Sequence, residues 1–169
     1  KADGREPQHN PLYAAMVRSL DDGVGRLLKA VDDAGVADRT IIVFFSDNGG
    51  WAYPPRATDP EGFENTPATS NLPQRSGKAS LYEGGTRVPL MWAWAGHIKP
   101  GTTSDAVVGH IDLYPTLLDL LGLPRPAPQK MDGVSYAAVL KQTGPLERKA
   151  FFNYFPHGGG PGRAGGVWA

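Results

Sequence analysis

The chain has 169 residues with 17 basic and 17 acidic side chains, and this even balance leaves no basic footprint for nucleic acid or a charged membrane surface. Hydrophobic residues make up 40%, enough to build one domain of ordinary size, while 22 Gly and 16 Pro mark long turn-rich stretches. Cysteine is absent, which excludes disulfides, Cys-ligated zinc and a cysteine nucleophile within these residues; no apolar run approaches the ~20 residues of a membrane span.

The opening "KADGREPQHN" is polar, lacks the pattern of a signal peptide and reads as a mid-protein start. Asn10 then suits an N-cap with Pro11 at the first helical position. Apolar residues recur at Tyr13, Met16, Val17, Leu20, Val24, Leu27, Leu28 and Val31, which predicts a helix closed at Gly35. Thr40–Phe45 is a continuous β-branched and aromatic run, as in a central parallel strand buried on both faces. Residues 49–77 contain Pro54, Pro55, Pro60, Pro67 and Pro73 and predict one long excursion over the surface, a length usually reserved for function or disorder. "VPLMWAW" (88–94) reads as a second buried strand. "DLYPTLLDLLG" (112–122) reads as a helix with Leu113, Leu117, Leu120 and Leu121 inward. A stiff connector, "PRPAPQ" (124–129), leads to a weak helix over 135–142 and a third strand, "AFFNYF" (150–155), followed by a glycine-rich loop to Ala169. No internal repeat interrupts this alternation, which is that of an α/β layer structure.

Two stretches carry chemistry. In "SDNGG" (46–50) a carboxylate and a carboxamide offer hard oxygens at the end of a strand, and two glycines let the backbone turn and approach a ligand. Ligands in open α/β sheets sit beyond the carboxyl ends of strands, so Asp47 and Asn48 lie where a site belongs. The same residues also make an ordinary strand-to-loop turn. In "RSGKASLYEGGTRVP" (75–89), Gly77 permits close backbone approach and Lys78 supplies a compact cation suited to sulfate or phosphate. Gly84 and Gly85 return the chain to the next strand. A solvated loop lysine is the competing reading.

The blocks "YAAMVRSLDDGVGRLLKAVDDAGVADRTIIVFFSDNGG", "LPQRSGKASLYEGGTRVPLMWAW" and "HIDLYPTLLDLLGLP", in this order, resemble the later part of a type I sulfatase of the alkaline-phosphatase-like superfamily. The resemblance spans about residues 9–156. It implies an α/β fold, a partial alkaline-phosphatase-like sandwich with a mostly parallel central sheet flanked by helices. Residues 1–169 would be the C-terminal portion of the catalytic domain. The implied activity is hydrolysis of a sulfate ester, on a sulfated carbohydrate or other small molecule, at a Ca²⁺ site that Mg²⁺ is the alternative cation to fill. Asp47 and Asn48 match the late pair of metal ligands, and Lys78 matches the lysine that contacts substrate sulfate and takes part in catalysis. His157, in "NYFPHGGGPGR", matches an aromatic-Pro-His segment that reaches the substrate, although a plain loop histidine is the competing reading.

The family attacks with a hydrated formylglycine made from a Cys/Ser-x-Pro-x-Arg motif, and here the nearest text is "NLPQR" (71–75), where Asn71 cannot serve. That motif, an early pair of acids and a Lys/His set are implied upstream, so the partner of this segment is the remainder of the same polypeptide and the segment is inactive by itself. Calcium takes 6–8 oxygens, of which Asp47 and Asn48 supply a minority. Export to the periplasm or outside the cell is common in the family. A phosphatase or phosphonate monoester hydrolase of the same superfamily, and a pseudoenzyme that keeps the fold as a binding module, are the alternatives. Among the remaining residues, Trp51, Tyr53 and Arg56 read as ring-stacking and anion-pairing groups or as loop packing. Asp112 reads as a helix cap, His110 as a packing or backbone-bonding residue, His9 and His97 as surface residues, and "DDGVGR" (21–26) as a solvated helix face.

Overall fold

A computed structural model describes residues 10–53, 68–155 and 166–168. Helix α1 runs Pro11–Asp33; the Asn10 side chain accepts the Tyr13 amide at 2.9 Å, Pro11 occupies the first turn, and Gly35 at φ +63° ends the run. A short 3-10 turn leads into β1 (Ile42–Phe45), and further along the chain come α2 (Glu83–Thr86) and β2 (Leu90–Ala93). Helices α3 (Leu113–Leu121) and α4 (Ala137–Leu140) precede β3 (Asn153–Phe155) and β4 (Gly166–Trp168). β1 pairs with β2, and β3 pairs with β4 in antiparallel register, Asn153 opposite Trp168. Strand β4 lies where the sequence predicts only glycine-rich loop. Its partner β3 supplies an open ladder, and pairing overrides the low strand preference of glycine.

The α/β composition is as expected, but the one register defined among the described strands is antiparallel rather than parallel. At the other pair, the Ser46 amide just after β1 donates to the Pro89 carbonyl just before β2 at 3.1 Å, setting the end of one strand beside the start of the other. Ile42, Val43 and Phe44 are half-buried and Phe45 is exposed, so β1 is not covered on both faces by the described residues.

The chain divides into two compact units, with the division passing through β1 and β2. In the first unit, α1 is regular but buries no residue: Met16, Leu20 and Leu27 remain 63%, 56% and 70% exposed. Its periodicity sets the helix without any described residue closing over the stripe. The second unit holds a small core of Leu118, Leu120, Tyr136 and Ala137. Leu121, predicted to face inward, is exposed, and Leu118 is buried in its place, with Leu113 and Leu117 half-buried. Gly122 at φ +65° closes α3 as a left-handed cap, with the Leu123 amide reaching the Leu118 carbonyl at 2.9 Å.

Candidate active site

The stretch after β1 is built to turn. The Ser46 hydroxyl donates to the Asn48 carbonyl at 2.9 Å, which folds the loop back within two residues and leaves Asp47 exposed and Asn48 half-buried at the strand end. The Gly49 amide then donates to the Gly85 carbonyl at 3.0 Å, and a Cβ at Gly49 would overlap the Gly84 carbonyl. Backbone meets backbone here with no room for a side chain. The next residue accepts from the second loop: the Lys78 amide donates to the Gly50 carbonyl at 3.0 Å.

The second loop is held from several directions. The Asn71 carboxamide accepts the Gly50 amide at 3.1 Å and donates to the carbonyls of Gly50 and Ser76 at 3.0 and 3.1 Å. The Tyr53 hydroxyl lies 3.0 Å from the Ser76 hydroxyl, 3.2 Å from the Gly77 carbonyl and 2.9 Å from the Lys78 carbonyl. Its ring packs edge-on against Trp51, with centroids 5.0 Å apart. These two aromatic residues therefore serve loop packing. A Cβ at Gly77 would overlap the Gly50 carbonyl, while Ser76 and Ala79 take left-handed φ values of +69° and +67°. The Arg75 guanidinium lies 4.0 Å above the Tyr82 ring, whose residue precedes α2.

The structure thus joins the Asp47–Asn48 loop to the Lys78 loop through their backbones, as two adjacent strands of loop rather than by side-chain pairing. Lys78 is exposed, and among the described residues neither its ammonium nor the Asp47 carboxylate is engaged in a hydrogen bond or ion pair. The Asp47 carboxylate and the Asn48 carboxamide, which makes no hydrogen bond among the described residues, offer hard oxygens that fit part of a calcium shell. No cluster of three or more His, Cys, Asp or Glu occurs among the described residues, so the pair is a partial set. His157, His9 and Arg56 lie outside the described residues. Sequence reasoning missed the role of Asn71, which resembles nothing but a failed nucleophile motif; its partner Gly50 is 21 residues away in the chain, and local text carries no sign of it.

Other candidates resolve as structure. Asp112 is fully buried, and its carboxylate accepts from the amides of Gly109 at 2.7 Å and Val134 at 2.9 Å and pairs with the Arg148 guanidinium. It stands at the N-cap position of α3 but makes no side-chain cap bond there; its carboxylate instead accepts the Gly109 amide that opens the preceding 3-10 turn. His110 is exposed in that turn, and His97 stacks on Trp94 at 3.8 Å. Asp22 in the "DDGVGR" stretch pairs with Arg18 on the open face of α1. No helix among the described residues is long and apolar enough to cross a membrane.

A strand-end acid and amide are thus tied by glycine backbone to a loop lysine. Residues 2–123 match the model of the Sulfatase family. A protein named sulfatase from Formosa agariphila is 38% identical over 165 residues, covering 89% of this chain and 27% of that protein. Human N-acetylgalactosamine-6-sulfatase is 34% identical over 140 residues (83% of this chain, 25% of that protein), and human arylsulfatase A 35% over 142 residues (84% and 26%). The crystal structure of the PsFucS1 sulfatase from Pseudoalteromonas sp. superposes with a TM-score of 0.65 at 28% identity, covering 80% of this chain and 26% of that one. The chain belongs to the sulfatase family, and it spans about a quarter of the length of these relatives.

Proposed function

We propose that this chain is the later portion of the catalytic domain of a sulfuric ester hydrolase, supplying two calcium ligands and a sulfate-contacting lysine. The observation that carries the reading is the backbone union of two loops, Gly49 to Gly85 and Lys78 to Gly50, both at 3.0 Å. That union holds, on neighbouring segments, an amide together with a carboxylate and an ammonium that are uncommitted among the described residues. Asp47 and Asn48 hold the cation through hard oxygens. When bound, calcium supplies Lewis-acid polarisation of the sulfate and of the nucleophile. Lys78 balances negative charge that builds on the sulfate oxygens, and as a compact point charge it does so without a fixed planar geometry. The glycine contacts keep both loops from drifting, which preserves orientation at no cost when substrate arrives.

The nucleophile, the early metal-binding acids, the strands that complete a parallel sheet and the groups that protonate the leaving alcohol belong in this reading to the rest of a longer polypeptide, so residues 1–169 alone do not turn over substrate. Substrate choice rests with loop residues such as 51–53 and 68–74, since loops vary freely on a shared scaffold. The test is Asp47→Ala and Lys78→Ala in the intact polypeptide, assayed with sulfate esters and by calcium titration. Asp47→Ala is expected to lose bound calcium and more than about 100-fold in turnover, since even outer-shell partners of a metal are worth about 10–100-fold. Lys78→Ala is expected to keep calcium and lose about 10²–10³ in kcat/KM, the scale of one removed charge-stabilising donor. Native calcium content and native rates in Asp47→Ala overturn the metal assignment.

A further inference from the structure

Asn71 and Tyr53 are spent on one short piece of backbone. Ser76 and Ala79 bracket Gly77 and Lys78 with left-handed φ values, +69° and +67°, in residues that carry a Cβ. Such a conformation is costly for a residue with a Cβ and persists only where its surroundings over-determine it. The surroundings here are specific. Asn71 donates to the Ser76 carbonyl at 3.1 Å, and with its other contacts clamps both the amide and the carbonyl of Gly50. The Gly50 carbonyl is also the acceptor of the Lys78 amide, so one carboxamide fixes the group on which the lysine backbone hangs. The Tyr53 hydroxyl has a single proton, shared between the carbonyls of Gly77 and Lys78, which leaves the Ser76 hydroxyl as donor in their contact at 3.0 Å. A side chain at Gly77 would strike the Gly50 carbonyl and the Asn71 amide nitrogen, so the segments meet here backbone to backbone.

We propose that Asn71 and Tyr53 are positioning residues which hold the strained Ser76–Ala79 segment against Gly50 and thereby aim Lys78. The proposal rests on the reading of Lys78 as the sulfate-contacting group. Neither residue touches substrate in it; both act through the lysine. Strain placed beside a loop lysine, and countered by the Asn71 and Tyr53 side chains, fixes the backbone from which the exposed Lys78 side chain projects.

The experiment uses isosteric variants, so that packing volume is kept. Asn71→Asp retains the acceptor for the Gly50 amide but turns the donor into an oxygen facing the Gly50 and Ser76 carbonyls; Tyr53→Phe keeps the ring on Trp51 and removes only the hydroxyl. In the intact polypeptide, kcat/KM for a sulfate ester such as p-nitrophenyl sulfate is expected to fall about 10–100-fold in Asn71→Asp and about 10-fold in Tyr53→Phe, the scale of groups that orient a catalytic side chain. Combined with Lys78→Ala, either variant is expected to lose no more than Lys78→Ala alone, because groups acting through one residue are not additive. Losses that multiply, or native rates in both single variants, overturn the proposal. Hydrogen exchange gives a readout free of activity: the Lys78 and Gly50 amides are expected to exchange faster in Asn71→Asp, and unchanged protection overturns the clamp. If Lys78→Ala keeps the native rate while those amides loosen, the lysine assignment fails and the clamp stands.

Discussion

Two polar knots, one in each compact unit, use the same kinds of residue to opposite ends. Around Asp112 every oxygen is consumed: two backbone amides and a guanidinium surround a carboxylate with no exposure, and Arg148 itself reaches the Val107 carbonyl and lies 4.9 Å from the Phe151 ring. Around Gly50 the bonds are made by backbone, Asn71 and Tyr53, while the charged groups nearby, Asp47 and Lys78, stay exposed and uncommitted among the described residues. Saturation is what separates the two knots. A buried carboxylate with all its partners present has nothing left to offer a ligand, whereas a rigid frame with open charges is what a binding site requires.

The contrast breaks most readily at Arg148. Arg148→Ala leaves a buried carboxylate without its counter-charge and is expected to cost about 3–5 kcal/mol in urea unfolding of the chain; a loss under about 1 kcal/mol removes the structural reading of this pair. Lys78→Ala is expected to change unfolding free energy by less than about 0.5 kcal/mol, as for surface sites away from packing, so its effect on kcat/KM is functional in origin. A comparable loss of stability would place Lys78 with the structural knot.

Tyr136 sharpens the same comparison through pH. Burial raises its phenol from 10.0 to about 12, an increase that the Trp92 hydrogen bond reduces and the Asp112 charge adds to. The folded state therefore favours the neutral phenol. Its contribution is complete below about pH 10 and is lost as pH rises through about 12. Tyr136→Phe is expected to cost about 1 kcal/mol at neutral pH, where the Trp92 indole loses its acceptor, and to flatten the alkaline fall in melting temperature; equal slopes in both proteins would contradict this. The smallest effect belongs to the open helix: Arg18→Ala removes an exposed pair with Asp22 and is expected to move stability by no more than about 0.5 kcal/mol. A larger change would mean that α1 is not as open as its exposures show.

Local physics was legible in the residues. Asn10 with Pro11 and Gly35 set the ends of α1 as read, and "IVFF" and "LMWA" become strands, because caps and side-chain period act within a few residues. "SDNGG" marks its own strand-end position for the same reason. Burial was not legible in this way. The stripe on α1 predicts an inward face, yet exposure depends on what else is packed there; Leu118 rather than Leu121 fills the core for the same reason. Strand β4 needed β3 as a partner, and Asp112 needed Arg148, 36 residues away, to become a buried ion pair instead of a simple cap. Asn71 is the clearest case. In the text it is an asparagine in a failed motif; only the fold, by bringing Gly50 and Ser76 within reach of one carboxamide, makes it the residue on which the lysine loop is hung, because hydrogen bonds between distant segments exist only once the chain has closed.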